Sequence, residues 1–195
     1  FQHDGTTAIG DGDFVNFDDG IAGLKFTPSP DSILAGSFTV QAATSGDDTG
    51  LGGSTVSATI TVTPVADTPS VTDATTAEDT QTTGGLVISK NAADGAEVTH
   101  FKITSITNGT LYQNDGATAI SNNTFITYAE GNSGLKFTPS ANFFGSGSFT
   151  IQASVSSGDA GLGGSQVTAT ITVSAVADTP SVINATTLED TQTTN

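Results

Sequence analysis

Residues 147–173 read GSFTIQASVSSGDAGLGGSQVTATITV, and residues 36–62 read GSFTVQAATSGDDTGLGGSTVSATITV. In the first stretch Phe149, Ile151, Ala153 and Val155 alternate with Ser148, Thr150, Gln152 and Ser154, and Val167, Ala169, Ile171 and Val173 alternate with threonines. Strand side chains point to opposite faces with a period of two, so each run predicts a strand with one buried and one wet face. The loop between them, Gly158 to Gly164, is rich in the residue that tolerates tight connections. The same alternation runs through Phe38, Val40 and Ala42, then Val56, Ala58, Ile60 and Val62. A pair of strands is therefore written twice, 147 − 36 = 111 residues apart.

That offset holds outward in both directions. GLKFTPS begins at Gly23 and Gly134, ADTPSV at Ala66 and Ala177, and EDTQTT at Glu78 and Glu189. Sliding residues 1–84 onto 112–195 needs no gap, and about 50 of the 84 pairs are identical. A fixed period of this length marks a tandem array of structural units. It divides the chain into residues 1–66, the C-terminal part of one unit; 67–177, a complete unit; and 178–195, the start of the next. Beginning in mid-unit, the chain is expected to sample a longer array.

Further strands are predicted over 86–89, 98–106, 110–113, 124–128 and 134–138. Asn108-Gly109, Asp115-Gly116 and Glu130-Gly131 are the expected turns, where positive φ is needed. Helical spacing with caps is nearly missing, and Thr, Val and Gly are frequent. Seven or so strands in 111 residues fit an all-β fold of tandem antiparallel β-sandwich domains of the immunoglobulin-like or cadherin-like kind.

Charge narrows the partners. Twenty Asp and Glu stand against four Lys and Arg, a net charge of −16. Such a surface repels phosphates and anionic lipid and attracts cations, which argues against nucleic acid as a partner. All four basic residues are lysines, Lys25, Lys90, Lys102 and Lys136, so no arginine fork is present. Cysteine is absent, which removes disulfides and thiolate sites, and no apolar run reaches the length of a membrane span. No catalytic pattern emerges: His3 aligns with Asn114, GSGSF at 145–149 lacks the G-x-S-x-G spacing, and the GLGGS loops lack the lysine of a phosphate-binding loop. An enzyme is not expected.

The run GLKFTPSANFFGSGSFTIQAS at 134–154 resembles the hallmark of bacterial cadherin-like tandem repeats, where an aromatic-Thr-Pro strand end precedes an Asn-Phe-x-Gly turn and a Ser-Phe-Thr strand. VADTPSV at 65–71 looks like that family's interdomain junction, and LEDTQTT at 188–194 like its first strand. The resemblance implies a secreted or surface-anchored bacterial protein with many units in line, calcium-stiffened and adhesive. Its partners would be neighbouring units of the same chain and adjacent chains in a fibre.

The acids offer a place for Ca²⁺. Sixteen are Asp and four Glu, and short carboxylates in Gly-rich loops suit a hard cation that takes six to eight oxygens. Asp67 and Asp178 recur at the junctions, with Glu78, Asp79, Glu189 and Asp190 just after them. Asp94, before Gly95, resembles the Asp-Gly loop that supplies a ligand in cadherin-like units. The expected metal site joins Asp67, Glu78 and Asp94, with Asp79 beside them; the alternative use of the same acids is to cap turns and keep the surface soluble. Two functions follow for the chain: a structural spacer giving reach and stiffness, or an adhesin module that grips a ligand.

Overall fold

A computed structural model describes residues 1–193, and the protein is β-rich, with two short α-helices among the described residues. Thr194 and Asn195, which end the third segment, lie outside the described residues. Two strands in the first copy, β1 (Gly36–Ala43) and β2 (Leu51–Ile60), follow helix α1 (Phe17–Ala22). From residue 66 onward come β3 (Ser70–Val71), β4 (Ala74–Ala77), β5 (Ile88–Ser89), β6 (His100–Thr107), β7 (Gly109–Tyr112), β8 (Ala119–Ile120) and β9 (Thr124–Thr127). Helix α2 (Tyr128–Asn132), β10 (Lys136–Pro139), β11 (Gly145–Ser154) and β12 (Leu162–Ser174) complete that unit.

Strands β4-β12-β11-β6-β9 form one five-stranded sheet and β10-β7-β8 a three-stranded one. Pairing is antiparallel throughout the larger sheet except between β12 and β4, which run parallel. The alternation decides what is buried. Phe101, Ile103, Phe149, Ile151, Ala169 and Ile171 of the larger sheet and Leu111 and Phe137 of the smaller one join a single buried cluster with Leu86, Ile88 and Leu135. Glycine allows this closeness: a Cβ on Gly147 would sit 2.7 Å from the Phe137 ring.

The two copies of the hairpin share more than sequence. Gly36 pairs with Ile60 and Phe38 with Ala58, as Gly147 pairs with Ile171 and Phe149 with Ala169. A bulge between Val40 and Ala42 matches one between Ile151 and Ala153. The alternation fails just past the second bulge, where Ser154, expected to face water, is fully buried and donates to Gly158 O at 3.4 Å. A bulge inserts an extra residue and re-aims those after it.

Three local expectations are corrected. Residues 124–128 do not run on as a strand, because Thr127 and Glu130 form a capping box that turns Tyr128 into the first residue of α2. Gly131 is accordingly helical, and the positive φ expected at Glu130-Gly131 is not used there; a Cβ on Gly131 would lie 2.9 Å from the Phe101 ring. The strand expected over 86–89 shortens to Ile88–Ser89, since buried Leu86 takes a φ of 54°. The run likened to a first strand is not one: in its copy at 77–83 only Ala77 lies in a strand, the end of β4, a turn follows at Glu78–Asp79, and β3 and β4 both begin earlier.

Candidate functional site

The chain enters residues 67–177 at one place and leaves them at another, and a carboxylate holds each crossing. At the incoming side Ala66 is 1% exposed, and Gly163 and Gly164 pass so close to the backbone of residues 66–68 that neither has room for a Cβ. Asp94, only 5% exposed, accepts the amide of Asp67 on Oδ1 at 3.0 Å and the amide of Asn91 on Oδ2 at 3.2 Å. Thr68 Oγ1 accepts from Ser165 N at 2.8 Å, which fastens the same segment to the start of β12.

At the outgoing side the parallel partnership matters. Ala74 lies opposite Ile171 and Ala77 opposite Ser174, so the residue after β4 meets the chain just as it leaves β12. That residue is Glu78. Its amide donates to Ser174 O at 2.9 Å and its Oε1 accepts the amide of Val176 at 2.5 Å, with the side chain 8% exposed. Asp79 beside it accepts the amide of Asn142 at 2.9 Å. Ionised acceptors on backbone amides make strong hydrogen bonds, and a lost partner leaves a buried donor bare.

The expected acid set therefore divides. Asp67 and Asp94 come together at the N-terminal end of β12, whereas Glu78 and Asp79 sit at its C-terminal end. From Gly164 to Ser174 is 174 − 164 = 10 residues, or roughly 33 Å along a strand at about 3.3 Å per residue. Asp178, Glu189 and Asp190 are exposed in residues 175–193, which hold no strand or helix. No group of three or more His, Asp or Glu side chains converges on one point among the described residues.

Glu97 belongs at the incoming end and was not anticipated. Its Oε1 accepts the amide of Gly95 at 2.7 Å, while Oε2 is buried and unpaired. The Gly95 amide foremost, with help from the charge of Lys90, holds this carboxyl below its ordinary range. The pattern Asp94-Gly95-x-Glu97 was the available signal. Glu97, Asp67 and Ala93 face Asp31, Ile33 and Val65 of the first copy across a groove of about 260 Å³. No family model matches the chain, and no curated protein is detectably similar to it.

Proposed function

We propose that residues 67–177 form one β-sandwich unit of the cadherin-like or immunoglobulin-like kind, and that the chain is a structural spacer of an extracellular, non-enzymatic repeat protein. The observation that carries this reading is the pair of carboxylate clamps. Asp94 holds the incoming chain at one end of β12 and Glu78 holds the outgoing chain at the other. A unit that receives and releases the chain at opposite ends stacks in line, adding roughly 40 Å of length per copy. Two sheets that share one core and the recurrence of the hairpin register at 111 residues support the sandwich and the repeat.

Ca²⁺ enters this reading between units rather than within one. Glu78 and Asp79 end one unit, Asp178 lies in the linker, and the next unit would present the counterparts of Asp94 and Glu97, so the residues expected to form one site are contributed by two neighbours. An ion bound only to the aligned junction stabilises it by about 2.7 kcal/mol at a hundredfold excess over Kd. Small-angle scattering and thermal melting of two tandem copies of residues 67–177, which together hold one whole junction, with Ca²⁺ and with chelator test this. The expected result is a longer particle and a higher Tm with Ca²⁺; no change in either ends the calcium reading, and a compact particle under every condition ends the spacer reading.

A further inference from the structure

An open groove of about 410 Å³ lies where β4 joins β12, and all of its walls belong to residues 67–177. Thr75 stands opposite Thr172 in the parallel pairing, with Thr170 two residues back along β12. Asp73, just before β4, accepts the amide of Thr170 on Oδ1 at 2.8 Å. The facing wall is Thr83-Gly84-Gly85, and it is pinned on both sides. The Thr82 amide donates to Phe137 O at 2.9 Å, Thr82 Oγ1 accepts the amide of Phe137 at 2.9 Å, and the amide of Leu86 donates to Thr72 O at 3.1 Å. Gly85 is required there, since its φ is 80° and a Cβ would lie 2.5 Å from Asp73 O. Walls fixed in advance lose little freedom when a ligand binds.

The lining sets the chemistry of what fits. Elsewhere on the larger sheet hydroxyls answer one another: Thr150 meets Thr168 at 3.3 Å and Thr107 meets Ser148 at 2.8 Å. The hydroxyls of Thr75, Thr83, Thr170 and Thr172 make no such bond among the described residues, and all four line the groove. Asp73 uses one of about four acceptor positions on Thr170. Side chains in register on paired strands stand about 4.8 Å apart and alternate residues of one strand about 6.7 Å apart. Hydroxyls on opposite sides of a six-membered sugar ring bridge such a spacing. No aromatic side chain and no lysine lines the groove among the described residues, so it has neither a stacking platform nor an anchor for an anion. The net charge of −16 repels acidic sugars as well.

We infer that this groove binds a neutral hexose, free in solution or at the end of a glycan. The Asp73 carboxylate accepts hydrogen bonds from adjacent sugar hydroxyls, and the hydroxyls of Thr75, Thr170 and Thr172 donate to and accept from those across the ring. At the binding energy per atom that is ordinary for small ligands, the Kd is about 1 mM. The site lies within residues 67–177 and does not depend on the spacer reading.

Glucose, galactose and mannose are titrated separately into the 195-residue chain and followed by amide chemical shifts, with glucuronate as the charged control. Saturable shifts at Thr75, Gly84, Gly85 and Thr170 are expected with at least one hexose, and none with glucuronate. Thr75→Val combined with Thr172→Val keeps the shape, removes two hydroxyls and weakens binding by about tenfold. The melting midpoint reported by Tyr112 and Tyr128 stays unmoved in that variant, which shows that the unit is folded. Methyl glycosides separate the two sources: binding equal to that of the free hexose places the ligand at a glycan end, and binding lost on capping the anomeric oxygen places it in solution. Absence of saturable shifts with all three hexoses, equal binding of glucuronate, or undiminished binding to the double variant overturns the proposal.

Discussion

Truncating one aromatic in two copies of the same hairpin separates the effect of sequence from that of surroundings. Phe149 is fully buried between two sheets, whereas Phe38 occupies the same register with 40% of its surface exposed. Phe149→Ala removes the ring and leaves a cavity lined by residues that cannot close over it, for a cost of about 3–5 kcal/mol. In a unit of this size each kcal/mol lowers the midpoint by about 4 °C, so the expected fall is about 12–20 °C. Phe38→Ala opens no closed cavity and costs about 1 kcal/mol. The readout is built in: the chain has no Trp, and its two tyrosines, Tyr112 and Tyr128, both lie in the complete unit. Their fluorescence on heating reports that unit and is silent to the first hairpin. An equal shift from the two substitutions, or a shift under about 4 °C for Phe149→Ala, would refute the assignment of the core.

Thr82→Val is expected to cost about 1–3 kcal/mol in urea unfolding, because Thr82 Oγ1 accepts the amide of buried Phe137 at 2.9 Å and the substitution leaves that donor bare. Gly147→Ala drives a methyl into the Phe137 ring and lowers the tyrosine-reported midpoint, while Gly36→Ala, which meets Phe26 in the same way, leaves it unmoved. The hydroxyl of Thr118, then the amides of Thr118 and Ala117, holds the Asp115 carboxyl below its ordinary range. A depressed folded-state value stabilises above the unfolded-state pKa and is lost on acidification, so unit stability falls below about pH 4 and Asp115→Asn makes that fall shallower in a pH series of melts. Glu78→Ala and Asp94→Ala each free a backbone amide; amide exchange is expected to rise at Val176 in the first variant and at Asp67 in the second, with neither variant affecting the other end.

The strongest sequence signal was the one the fold obeys most closely. Alternation over 147–173 specifies strand, face and hairpin at once, because its period and its glycines act over a few residues. Helix α2 was less legible, since five residues are too few to show a period of 3.6; the Thr127-x-x-Glu130 box was its trace, and its glycine passed for a turn. Leu86 gives no local hint of a positive φ, which comes from packing against the unit interior. The acids at the chain crossings were recognisable by recurrence, but their positions were not. Only the parallel alignment of β4 with the far end of β12 sends Glu78 away from Asp94, and a pairing between residues about a hundred positions apart leaves no imprint on either segment alone.

Hydrogen bonds to backbone amides explain how a chain with so few cations tolerates so many carboxylates. Ten of the twenty acids accept a backbone amide, whereas one, Asp159, meets a lysine among the described residues. Asp4 and Asp115 each accept two amides and a threonine hydroxyl within one turn, and Asp94 and Glu78 accept amides of the crossing chain. Such bonds favour the ionised form without cancelling its charge, so the excess of −16 remains in the field around the molecule. Flanks carrying that field repel their like within a Debye length of about 8 Å at physiological salt. The ends behave differently, because there the carboxylates turn inward to hold the linker. On the proposed in-line stacking, ordering along the chain would be built into each unit, while side-by-side association would have to overcome a repulsion that screening salt or bound cations reduce.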